Sequence, residues 1–105
     1  MNHGLTGGTV AQIHEVLARF PEVEKALLYG SRAKGNYKPG SDVDLTLLGA
    51  GVTTKILGQI QGELEDGSLP YRFDVSIFSQ IEQADLLEHI RRVGVVFFEK
   101  KPLPA

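Results

Sequence analysis

Gly30-Ser31-Arg32-Ala33-Lys34-Gly35, then, after Asn36 to Gly40, Ser41-Asp42-Val43-Asp44-Leu45-Thr46-Leu47, is the stretch that decides the fold. Val43, Leu45 and Leu47 alternate with Asp42, Asp44 and Thr46, the period of a strand with one apolar face and both carboxylates on the other. The Cα atoms of the two aspartates then lie roughly 6.6 Å apart, near enough for both side chains to converge on one hard cation. Left unneutralised, the pair is costly, because like charges at this range raise one another's proton affinity. A divalent ion, magnesium by preference, relieves that repulsion and supplies the positive charge a phosphate needs.

A third carboxylate follows in Phe73-Asp74-Val75-Ser76-Ile77-Phe78, which alternates in the same way. If this strand lies beside the first, Asp74 joins Asp42 and Asp44. Three carboxylates suit two metal ions about 4 Å apart, one activating an attacking hydroxyl and the other stabilising a departing pyrophosphate. Asp74 then helps to deprotonate the acceptor. Upstream, the apolar run Ala26-Leu27-Leu28-Tyr29 leads straight into Gly30, which can adopt backbone angles closed to other residues and lets a phosphate approach the main chain. Ser31 adds a hydroxyl. A short helix starting here would aim its amides and positive dipole end at phosphates, with Arg32 or Lys34 adding charge. Pro39-Gly40 turns the chain into the aspartate strand.

On these residues the chain resembles the nucleotidyltransferase superfamily that includes DNA polymerase beta: a Gly-Ser loop, Asp-x-Asp on the next strand and a third acidic residue on a later one. Tyr29 to Gly35 followed by Ser41 to Leu45 looks more narrowly like the minimal nucleotidyltransferases, single small domains often paired with a HEPN-domain protein. The likeness runs from about Val10 to Lys100 and includes a last helix and strand over Leu87 to Phe98. Lys34 stands where the family more often has arginine. The resemblance implies a single α/β (mixed α+β) domain, a small mixed sheet flanked by helices with the active site at one end, its core over about residues 9–100. It implies Asp42, Asp44 and Asp74 as metal ligands and catalytic residues. Gly30 and Ser31 become triphosphate binders, and Arg32, Lys34 and Ser41 lesser members of the phosphate site. The implied reaction is magnesium-dependent transfer of a nucleoside monophosphate, AMP from ATP in the first instance, to a hydroxyl of a partner such as a HEPN toxin, which makes the chain an antitoxin.

Two other readings stand beside this one. A non-catalytic module keeps the nucleotide pocket but masks its partner, and a transferase of the same family acts on a small molecule such as an aminoglycoside. Against the latter, 105 residues with 42% hydrophobic content make one compact domain and leave no second one to bind a small acceptor, unless a homodimer or hetero-oligomer supplies the missing wall. A net charge of -2, from 11 basic and 13 acidic residues, gives no broad cationic surface and argues against DNA as a partner. There is no cysteine for disulfides or thiolate zinc sites. Neither a signal-peptide pattern at Met1 to Leu5 nor a membrane-length apolar run is present, so a cytoplasmic protein is expected.

Elsewhere, Thr9 with Gln12 suggests a capping box for a helix bearing Val10, Ile13, His14 and Leu17 and stopping near Phe20-Pro21, and a strand is expected over Val23 to Tyr29. Ile56, Leu57, Ile60 and Leu64 space a helix ending by Gly67. Gly58 and Gly62 weaken it, for reasons of either tight packing or mobility. Ser79 with Glu82 suggests a second capping box, for a helix with a buried stripe of Leu86, Leu87, Ile90 and Val93 that stops at Gly94. Val95 to Glu99 forms the last strand, and Lys100 to Ala105 reads as a frayed tail. Tyr37 and Tyr71 are expected to pack or lie at the surface, His14 to edge a packed helix, His89 and Arg91-Arg92 to face solvent.

Overall fold

A computed structural model describes residues 3–100. In chain order it contains α1 (Gly7–Ala18), β1 (Lys25–Tyr29), α2 (Gly30–Lys34), β2 (Val43–Leu48), α3 (Thr54–Asp66), β3 (Phe73–Ile77), a single 3-10 turn (Phe78–Gln80), α4 (Ala84–Val93) and β4 (Val95–Glu99). The strands make one mixed sheet in the order β3-β2-β1-β4. β1 is antiparallel to both β2 and β4, whereas β2 and β3 are parallel and joined through α3. The expected mixed sheet flanked by helices is the fold observed.

The alternation in the strands decides which face is buried. Ala26, Leu28, Val43, Leu45, Leu47, Phe73, Val75 and Ile77 form one apolar face, covered by Ile13, Val16 and Leu17 of α1 and Ile60 and Leu64 of α3. Each wholly buried aliphatic side chain contributes roughly 1.5–3 kcal/mol relative to exposure, so this layer dominates stability. Across the sheet, Leu27 and Tyr29 point toward α4. That side is thinly covered: Leu27, Phe78, Leu87 and Ile90 border an open hollow of about 700 Å³. Of the expected stripe only Ile90 is therefore buried, with Leu86, Leu87 and Val93 half-buried.

Two helix starts differ from the capping patterns. Thr6, not Thr9, caps α1, its Oγ1 accepting the Thr9 N–H at 3.2 Å, because the permissive Gly7-Gly8 pair lets the helix begin earlier and turns Thr9 into a buried first-turn residue. α4 begins at Ala84 behind Gln83, which makes no side-chain cap, because the 3-10 turn takes up Ser79. β1 starts at Lys25 rather than Val23. β4 spans the expected residues, and His14 of α1 donates a ring N–H to the Phe97 carbonyl at 2.6 Å. Lys100 is held rather than frayed, its N–H on the Glu24 carbonyl and its ammonium on that of Pro21. The rest of the expected tail, residues 101–105, lies outside the described residues. α3 runs unbroken through Gly58 and Gly62, and a Cβ at either would meet open space, so neither glycine answers a packing demand.

Candidate active site

β1 passes into α2 without a loop. Tyr29, still extended at φ -138° and ψ -169°, is followed by Gly30 at φ +77°, and five residues of helix end on Gly35 at φ +89°. Only glycine fits position 30 without strain, and the second reason is spatial: a Cβ there would stand 2.2 Å from Asp44 Oδ2. The Gly-Ser loop and the aspartate strand are thus in direct contact, since Tyr29 pairs with Asp44 across β1 and β2. Gly30 N–H donates to Nε2 of His89 at 3.1 Å.

Register then brings in the third carboxylate. Asp44 lies opposite Asp74 in the parallel β2–β3 ladder, and Thr46 lies opposite Ser76 one pleat further in. Asp42 sits exposed immediately before β2, Asp44 is half-buried and Asp74 exposed. Burial first, then the charges of Asp74 and Asp42, raise the Asp44 pKa from 3.8 to about 6. Among the described residues no three His, Asp or Glu side chains are gathered into a ready-made metal cage. Like charges at this spacing spread apart. The donor set still fits a hard divalent cation: carboxylate oxygens on adjacent strands, one of them held at an elevated pKa that a neighbouring positive charge would reverse.

Burial raises the pKa of the Tyr29 phenol, the nearby Ser76 hydroxyl opposes that shift, and Asp74 and Asp44 reinforce it. Ser76 Oγ and Thr46 Oγ1, opposite each other in the β2–β3 ladder, are both buried without a protein hydrogen-bond partner.

Arg32, which the resemblance makes a lesser member of the phosphate site, is a buried side chain. It is 1% exposed. Nε and Nη2 donate to the Ser41 carbonyl at 3.2 and 2.9 Å, Nη2 also to Pro39 at 3.5 Å, and Nη1 to His3 at 3.0 Å. The guanidinium lies over the rings of Tyr37 and Tyr71, 5.3 and 5.0 Å from their centroids. Through these carbonyls Arg32 fastens the peptide before Asp42. Tyr37 and Tyr71 are half-buried and pack against the guanidinium, in keeping with the expectation. Ser41 Oγ accepts the Lys38 N–H at 2.7 Å and closes the Pro39-Gly40 turn. Lys34 is exposed on the last turn of α2 and makes no ion pair among the described residues.

His89 was missed, being expected to face solvent. It is half-buried, edge-on to Tyr29 with ring centroids 6.2 Å apart. The signal lay in its spacing, three residues after Leu86 and four before Val93 on the same flank of α4.

Residues 11–103 match the family model described as Polymerase beta, Nucleotidyltransferase. The chain belongs to this family. No curated protein matches it. The fold is shared with solved structures of low sequence identity. One is a toxin–antitoxin with AMP-PNP, 18% identical, with 88% of this chain and 74% of that one covered at a TM-score of 0.71. Another is the tri-AMPylated HEPN toxin of Shewanella oneidensis in complex with its MNT antitoxin, at 16%, 87%, 70% and 0.64 in the same order. A third is a putative nucleotidyltransferase of Sulfolobus solfataricus, at 19%, 87%, 77% and 0.54.

Proposed function

We propose that this domain transfers a nucleoside monophosphate, AMP from ATP, to a hydroxyl on a partner protein, and that the partner is a HEPN-domain toxin whose activity the transfer suppresses. The observation that carries the chemistry is the in-register Asp44–Asp74 pair with Gly30 packed against the Asp44 carboxylate. It joins a phosphate-loop glycine and two carboxylates in one place. The shared fold supports the partner: one structural neighbour is a HEPN toxin in complex with its MNT antitoxin and another is a toxin–antitoxin with AMP-PNP.

In this mechanism Asp42, Asp44 and Asp74 would hold magnesium, which would supply positive charge to the triphosphate and to the attacking hydroxyl. Ser31 binds the triphosphate through its hydroxyl and backbone amide, Gly30 leaves room for it, and Lys34 adds mobile charge. The acceptor oxygen bonds to the α-phosphorus as the bond to the pyrophosphate oxygen breaks, and Asp74 takes the acceptor's proton. Arg32 and Ser41 keep the Asp42 backbone in place.

The test is transfer of label from α-labelled ATP with magnesium to proteins of the source organism's lysate. A labelled acceptor with wild type and none with Asp42→Asn/Asp44→Asn supports the proposal; equal labelling by both proteins would sink it.

A further inference from the structure

His89 belongs to none of the motifs that define the site, yet it touches the loop at its first residue. A backbone N–H can only donate, so the 3.1 Å contact from Gly30 N requires His89 Nε2 to carry its lone pair and Nδ1 the proton. The ring is steadied edge-on by Tyr29, which is 7% exposed and paired with Asp44. Gly30 is therefore gripped on two sides. The Asp44 carboxylate fills the space where a side chain would go, and the imidazole takes the N–H. A small rotation of the Tyr29–Gly30 peptide would turn Ser31 with it, because no loop separates strand from helix.

We propose that His89 is a positioning residue of the nucleotide site: as the neutral Nδ1–H tautomer it locks the Gly30 peptide and holds Ser31 in register with Asp44 for the triphosphate. This rests on the nucleotidyltransferase reading above. It also assigns the donors, since the Gly30 N–H is spent on the imidazole and the phosphate-facing hydrogen bonds begin at Ser31. α4 thereby acts on the site through one side chain without contacting substrate.

The experiment combines nitrogen-15 NMR of the imidazole, ATP titration followed through the Gly30 and Ser31 amides, and steady-state transfer by wild type, His89→Leu and His89→Gln. Glutamine keeps an acceptor on a side chain of similar reach; leucine removes it. Expected are an Nδ1–H spectrum that persists with ATP bound, a KM for ATP raised about tenfold in His89→Leu with kcat little changed, and return to within about threefold of wild type in His89→Gln. An Nε2–H spectrum, loss of the Gly30 hydrogen bond on adding ATP, or equal KM in all three proteins overturns the inference. So does a glutamine variant as impaired as leucine. If wild type binds ATP with these spectra but transfers nothing, the transfer reading fails while the positioning of the loop is judged by the amide titration; if ATP does not bind wild type at all, both fail.

Discussion

Gly30 and Asp44 stand so close that a methyl group on the glycine would lie 2.2 Å from the carboxylate oxygen Oδ2. Gly30→Ala therefore incurs two costs. The φ of +77° disfavours any side chain by about 1–2 kcal/mol, and the added carbon pushes the Asp44 carboxylate aside. Because that carboxylate is the tip of a side chain that can rotate, the fold survives. The expected result is a loss of about 1–3 kcal/mol in chemical denaturation, alongside a fall in nucleotide transfer far larger than that loss explains. Full activity in Gly30→Ala would break the link between the loop and the carboxylate.

Asp44 also sets a pH dependence. Its folded-state pKa is raised to about 6 from 3.8, so the native state holds this proton more tightly than the unfolded chain does. The resulting stabilisation is fully present below the unfolded value and disappears as pH rises through about 6. Asp44→Asn, neutral throughout, should gain thermal stability relative to wild type as pH rises from 3.8 to about 6, the window bracketed by these two pKa values. Melting temperatures of both proteins across that range decide it; parallel curves would refute the raised pKa.

Arg32 separates a structural role from a phosphate-binding one. Lysine preserves charge but cannot serve the carbonyls of His3, Pro39 and Ser41 together, nor lie flat against Tyr37 and Tyr71. Arg32→Lys should lose about 2–4 kcal/mol in denaturant unfolding. Unchanged stability with only a raised KM for ATP would return Arg32 to the phosphate site.

Gly58 offers the opposite sign. It is exposed in the interior of α3, and a Cβ there meets nothing within 4 Å. Gly58→Ala removes backbone freedom from the unfolded chain at no steric cost, so a gain of about 0.4–1 kcal/mol is expected, read as a higher denaturation midpoint.

What the sequence made legible was whatever depends on strand period and strand order. Asp44 and Asp74 each stood out because a carboxylate interrupts an apolar alternation, and the parallel register then had only to align them. The burial of Arg32 and His89 was not legible, for a shared reason. A charged or polar residue on a short helix is exposed by default, and what buries these two comes from far along the chain: His3, Tyr71 and Ser41 around the guanidinium, Tyr29 and Gly30 around the imidazole. Such partners are set by tertiary packing, which local spacing does not encode. The glycines divide in the same way. Gly30 is demanded by a contact with β2, whereas Gly58 and Gly62, identical in helical context, are demanded by nothing around them.

Catalysis and masking part company at the carboxylates. Asp42→Asn/Asp44→Asn removes two negative charges from the site while leaving α1, α3 and the buried sheet face untouched, so a folded protein is expected. If the proposed suppression of a HEPN partner is chemical, this variant should lose label transfer and suppression together, by about 100-fold or more for a group acting in the transition state. If suppression is by masking, transfer disappears and suppression stays. Measuring both in one preparation, with partner association monitored by gel filtration, assigns the antitoxin effect to the reaction or to the contact. The proposed mechanism requires that the two be lost together while association persists.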